Sequence, residues 1–70
     1  MIDIKTLTEE DIGRRVKYVD MDSTEFGCIT SFNSSVIFVR YYQKIKKDGK
    51  VIPRTGITSE GTKPEDLTFD

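Results

Sequence analysis

The stretch EFGCITSFNSSVIFVRYY, residues 25 to 42, constrains the fold more than any other part of the chain. Two runs rich in β-formers flank Asn33-Ser34-Ser35, and neither run has the spacing of a helix. Alternation in residues 26 to 32 puts Phe26, Cys28, Thr30 and Phe32 on one side, with Gly27, Ile29 and Ser31 on the other. The turn residues suit a reversal, and Asn33 is able to take a left-handed conformation there. The returning run, Val36 to Tyr42, carries apolar groups on both faces, so it reads as a central, bent strand. Gly27 opposite it fits a bend or a close backbone approach.

The flanking segments extend this hairpin into a small β domain. Thr8 followed by Glu9, Glu10 and Asp11 reads as the start of one helical turn, which Gly13 stops. Ile12 is expected to face inward and plug one end of the fold. Residues 14 to 20 alternate Arg15 and Lys17 with Val16 and Tyr18, the period of a half-buried strand. DMDST is then a polar connection. Asp48-Gly49 reads as a two-residue turn in a second hairpin, whose arms hold few apolar residues and should protrude. A short strand is expected at residues 57 to 59. Pro64-Glu65-Asp66 then starts another helical turn, and Leu67 and Phe69 return as the closing strand.

These elements predict a mostly β fold, a small antiparallel SH3-like β-barrel of four to five strands. One short helical turn lies near each end, and residues 43 to 54 form a protruding basic hairpin. All 70 residues make one domain, near the lower size limit for a self-sufficient core. Phe32, Phe38 and Phe69 are expected in that core. No repeat or low-complexity segment interrupts the chain.

DIGRRVKYVD, EFGCITSFNSSVIFVRYY and TSEGTKPEDLTF together resemble a class of short phage and prophage proteins of uncharacterised function. The matching positions are Ile12, Gly13, Arg14, Val16 and Tyr18; Gly27, Ile29, Thr30, Ser31 and Asn33; Phe38 to Tyr41; and Pro64 to Leu67. Residues 43 to 54 depart from that pattern as a longer hairpin. The spacing of Gly27, Ile29, Val39 and Tyr41 also looks like that of Tudor and KOW-type modules. The first resemblance implies phage origin and carries no activity with it.

Composition narrows the chemistry. There is no His to serve as general base or metal ligand, and the single Cys28 cannot build a usual zinc site or an internal disulfide. Cys28 is expected to be a buried structural thiol in a reducing compartment. The glycines are scattered and form no phosphate-cradling loop. Carboxylates cluster where helical turns begin, and capping explains them. No apolar run is long enough to span a membrane, and the opening MIDIKTLTEEDIG does not read as a secretory leader. The expectation is a cytoplasmic protein that is not an enzyme and takes no cofactor or metal.

Charge is more informative than composition. The net charge is −1, yet residues 40 to 54 hold six basic residues against the one acid Asp48. Arg40, Lys44, Lys46, Lys47, Lys50 and Arg54, with Tyr18, Tyr41 and Tyr42, are therefore the candidate binding residues. Lysines on an edge hairpin also discourage sheet-to-sheet pairing without any ligand. At least one of Tyr41 and Tyr42 must point outward, since strand neighbours face opposite ways. The leading expectation is a binding module that engages a host or phage protein. The alternative is a nucleic-acid-binding module using the same basic residues, and an open sheet edge leaves room for a homo-oligomer.

Overall fold

The computed structural model describes residues 1–54 and 58–70. Six antiparallel strands occupy them: β1 Arg15–Val19, β2 Ser23–Phe32, β3 Ile37–Lys46, β4 Val51–Pro53, β5 Glu60–Thr62 and β6 Leu67–Phe69. Three single-turn 3-10 helices, Ile4–Thr6, Glu9–Asp11 and Pro64–Asp66, complete the fold. The strands form one sheet in the order β4-β3-β2-β1-β6, with β5 also pairing β3. β3 is thus an interior strand that pairs with three others, β2, β4 and β5. Its first half pairs β5 and its second half pairs β4 along the same edge.

The sheet does not close. No ladder among the described residues joins β6 to β4 or β5, so the expected β-barrel is corrected to an antiparallel sheet with open edges. A physical reason lies in the strands that would have to meet: β5 and β6 are three residues each and pair with β3 and β1 respectively, which leaves little strand to bridge the gap. The described residues hold six strands where four to five were expected, with β3 pairing β5 through Ile37, Phe38 and Val39 and pairing β4 through Gln43, Lys44 and Ile45. The strand expected at residues 57 to 59 falls partly outside the described residues; Thr58 and Ser59 are not in a strand, and β5 begins at Glu60.

Two bulges shape the β2–β3 hairpin. Thr30 is an extra residue on β2, between the pairs Ile29↔Val39 and Ser31↔Phe38. Tyr42 is an extra residue on β3, between Phe26↔Gln43 and Gly27↔Tyr41. An extra residue flips the alternation beyond it and increases local twist. This is why Phe32 packs against the core although Phe26 and Cys28, earlier in the same strand, face away. The bulge also overrides the simple alternation that grouped those side chains. Gly27 meets β3 so closely that a Cβ there would lie 2.7 Å from the Arg40 carbonyl oxygen.

The core consists of Ile2, Leu7, Val16, Ile29, Ile37, Val39, Tyr41 and Leu67. Phe32 and Phe69 pack half-buried at its margin, whereas Phe38 lies half-buried outside it, opposite Gly61, which corrects its core assignment. Ile2 and Leu7 enter from the N-terminal segment, tied down by the Ile2 N–H donating to the Pro64 carbonyl at 3.0 Å. Ile12 does not plug the fold. It is 45% exposed, because Gly13 turns the chain with φ +95° and its N–H bonds to the Ile29 carbonyl, which leaves Ile12 at the rim.

Local polar chemistry fixes the turns. Asn33 is not left-handed; its Oδ1 instead accepts from the N–H groups of Ser35 and Val36, at 2.7 and 2.9 Å. The second hairpin turns through Lys47-Asp48-Gly49, not through two residues. The Gly49 N–H donates to the Lys46 carbonyl, the Lys46 N–H donates to the Lys50 carbonyl, and Gly49 takes φ +90°. That is the type I turn with a following glycine bulge. Nor does the hairpin stand alone: residues 43 to 46 of β3 are paired to β4 on one side and to the start of β2 on the other. The Lys47 N–H also donates to the Asp22 carbonyl at 2.9 Å.

At the Glu9–Asp11 turn, the Asp11 carboxylate accepts from the Thr8 N–H and from Arg14, both at 2.9 Å. The Thr8 backbone bond and then the Arg14 guanidinium hold its pKa below the ordinary 3.8. A lowered carboxylate contributes stability that is present above the unfolded value and lost as pH falls through the folded one. Denaturant titrations should therefore show Asp11→Asn less stable than the parent near neutrality. The difference should shrink to nothing as the solution is acidified below the carboxylate range.

Candidate functional site

The nine candidate residues do not form one patch. β1, β3, the turn after β3 and the residue after β4 distribute them over three places. Tyr41 points into the core, 5% exposed, and its hydroxyl is 2.8 Å from Thr62 Oγ1. Burial first, and then the charges of Glu25 and Glu60, push its phenol above the ordinary value, so it is neutral at physiological pH. Tyr18, half-buried, shares with Tyr41 an open depression of about 420 Å³. Asp20, Glu25, Glu60 and Asp66 line the same depression.

Arg54 belongs to that acidic side. Its guanidinium bonds Glu25 through Nη1 and Glu60 through Nη2, the latter at 2.8 Å, and lies 5.6 Å from the centre of the Tyr41 ring. Those hydrogen bonds raise its pKa further and keep it charged. The bonds tie the end of β4 to β2 and β5, so Arg54 is a structural cross-brace. It is withdrawn from the basic hairpin read in the sequence. Lys44 is likewise drawn in: it is half-buried and in register between Glu25 on β2 and Ile52 on β4. Arg54→Ala should lower stability by about 1 kcal/mol, the upper end of what an exposed ion pair contributes. A thermal-melt double-mutant cycle with Glu60→Ala should show that the two losses do not add.

Lys46, Lys47 and Lys50 are exposed around the turn of the second hairpin. Asp20 and Met21 line a depression with Lys46 and Lys47, so this tip mixes charges of both signs. These lysines stay accessible, apart from the other candidates.

Arg40 and Tyr42 define the third place, the outer face of β1–β3. Here Arg15, Cys28 and Arg40 align across the three strands, and Lys17, Phe26 and Gln43 form the next row. Cys28 is not buried. It is partly exposed because the Gly27–Ile29 segment turns its apolar neighbour Ile29 inward instead. Ile12, Gly13, Cys28, Thr30, Arg40 and Tyr42 line an open groove of about 520 Å³, chiefly apolar in lining. Tyr42 is 38% exposed and Ile12 45% exposed, so two large apolar side chains flank it in contact with solvent.

Electrostatics divide the molecule. The carboxylates of Asp20, Glu25, Glu60 and Asp66 gather around Tyr18 and Tyr41. On the outer face, Asp70 pairs with Arg15 at 3.5 Å, and at the rim Asp11 pairs with Arg14 at 2.9 Å. Arg14 also lies 3.7 Å over the Phe69 ring. Among the described residues, no carboxylate lies within ion-pair distance of Arg40 or Lys17.

Sequence reasoning found Arg40 and Tyr42 but missed Ile12, Arg15, Lys17 and Cys28 beside them. The signal was present in the alternation of β1, where Arg15 and Lys17 face away from Val16 and Tyr18. Cys28 could be joined to them only through the β1–β2 register. Among the described residues there is no cluster of His, Cys, Asp and Glu suited to a metal ion, and no helix is long and apolar enough to cross a membrane. No protein-family model matches the chain, and no curated protein or solved structure is significantly similar to it, so its own side chains carry the functional reading.

Proposed function

We propose that this chain is a non-catalytic, phage-encoded binding module that engages a host or phage protein through the outer face of β1–β3. The observation that carries this reading is the apolar groove between Ile12 and Tyr42, open to solvent beside Arg40. Exposed apolar side chains gathered around a concavity favour a protein partner, which removes them from water. The phage assignment rests on the sequence resemblance. An SH3-like build is supported by the strand order β6-β1-β2-β3 with one 3-10 turn before the last strand. The exposed lysines Lys46, Lys47 and Lys50 favour the second reading, a nucleic-acid contact at the hairpin turn.

Affinity capture from nuclease-treated host lysate separates the two readings. The parent protein should retain the same discrete proteins as a Lys46→Glu, Lys47→Glu, Lys50→Glu variant, and an Ile12→Asp, Tyr42→Ala variant should lose them. Capture that disappears with nuclease and with the lysine changes would move the function to nucleic acid. Cys28 supplies an independent readout, because it is the only thiol in the chain and lines the groove. A bound partner should slow its alkylation.

A further inference from the structure

We infer that the groove takes an extended peptide segment whose apolar side chain lies close to a carboxylate, with Arg40 receiving the carboxylate. This rests on the binding face proposed above and names the chemistry of its ligand. The argument begins with charge complementarity. Arg14 and Arg15 already have carboxylate partners in Asp11 and Asp70. Arg40 and Lys17, exposed and half-buried respectively, have none within ion-pair distance among the described residues. The four carboxylates of the acidic depression line the other side of the molecule, around the inward-facing Tyr18 and Tyr41. A basic segment is therefore repelled by the outer face, and an acidic one is attracted.

Geometry supplies the second half. Arg40 and Tyr42 both line the groove and are two residues apart on β3, at most about 7 Å along the chain and less where the bulge at Tyr42 bends the strand. A ligand in extended conformation repeats its side chains at a similar interval. One of its side chains can enter the apolar groove between Ile12 and Tyr42 while a neighbouring acid meets the Arg40 guanidinium in a two-pronged hydrogen bond. A nucleic-acid strand fits less well. It needs a row of cations tracking phosphates and several open rings for stacking. Among the described residues this face offers two unpaired cations, Arg40 and Lys17, and Tyr42, at 38%, is its most exposed ring.

The test is selection from a displayed library of random peptides on the parent protein, with counter-selection on the Ile12→Asp, Tyr42→Ala variant. Circular dichroism first establishes that each variant is folded. Selected peptides are then titrated by fluorescence anisotropy, alongside a single-stranded oligothymidylate. The expected winners need the groove and carry Asp or Glu near an aliphatic or aromatic residue. Changing that acid to its amide should weaken binding about tenfold, and the same change should have no effect on Arg40→Ala protein. Winners that need the groove but tolerate the amide would overturn the acidic chemistry and leave the binding face standing. Winners indifferent to Ile12 and Tyr42 would remove both. Oligothymidylate binding that depends on Arg40, without groove-dependent peptides, would replace the peptide with nucleic acid.

Discussion

Gly27→Ala should destabilise the protein by about 3 kcal/mol, at the upper end of what overpacking costs. Gly27 sits in β2 opposite Tyr41, next to the position where the Tyr42 bulge interrupts the ladder. An added methyl carbon would lie 2.7 Å from the Arg40 carbonyl oxygen, 2.7 Å from Val39 Cγ1 and 3.0 Å from Tyr41 Cα. Two of those three atoms are backbone, so no rotamer change relieves the clash. The strands must separate, and the ladder beside the core residues Val39 and Tyr41 is what they would lose. Domains of this size are stable by only about 3–10 kcal/mol, so the loss is a large share of the total. Urea denaturation should show the fall in midpoint. Gly61→Ala is the control, since its new carbon would meet side-chain atoms of Phe38 and Val36 at an ordinary 3.5 Å. Equal losses at Gly27 and Gly61 would contradict the close-approach account.

Leu67→Ala should cost about 3 kcal/mol as well, by opening a cavity where there is no surplus chain to collapse into it. Leu67 is fully buried, yet it belongs to a strand of three residues that, among the described residues, pairs only with β1. It packs in one cluster with Ile2 and Leu7, whose segment is anchored by the Ile2 N–H to the carbonyl of Pro64. Truncating Leu67 therefore loosens β6 and the N-terminal turn together. Amide hydrogen exchange should reveal it: protection at residues 2 to 7 and 67 to 69 falls further than protection in the β2–β3 hairpin. A uniform loss across all strands would mean that β6 is no weaker a unit than the rest.

Much of the fold was legible because its signals are local. The alternation of Arg15 to Tyr18 gave β1, the β-formers around Asn33 gave the long hairpin, and Gly27 gave the close approach. Pro64 with its following acids gave the last turn and strand. The bulges at Thr30 and Tyr42 were not legible, since neither residue type marks a bulge and the strain that places them arises between two strands. That single omission put Phe32 and Cys28 on one face, where the protein separates them. Ile2 and Leu7 were missed for another reason: their burial depends on contact with a segment at the far end of the chain. The candidate site suffered the same limit. Net charge along residues 40 to 54 counted Arg54 as part of a basic surface, and only the fold brings Glu25 and Glu60 to it.

The two bulges in the β2–β3 hairpin lie on opposite strands, and each offsets the other. Phe32↔Ile37 at one end and Ser23↔Lys46 at the other belong to the same register, while Gly27 to Ile29 against Val39 to Tyr41 is displaced by one residue. The middle of the hairpin is therefore a phase-shifted island between two in-phase ends. It holds Cys28 and Arg40, and Thr30 and Tyr42 sit at its boundaries. A chain lacking both Thr30 and Tyr42 would regain an uninterrupted ladder, whereas loss of either one alone would leave an end out of step. The groove can thus be gained or erased by a matched pair of single-residue insertions or deletions. On the binding face proposed above, recognition would then change by length as well as by substitution.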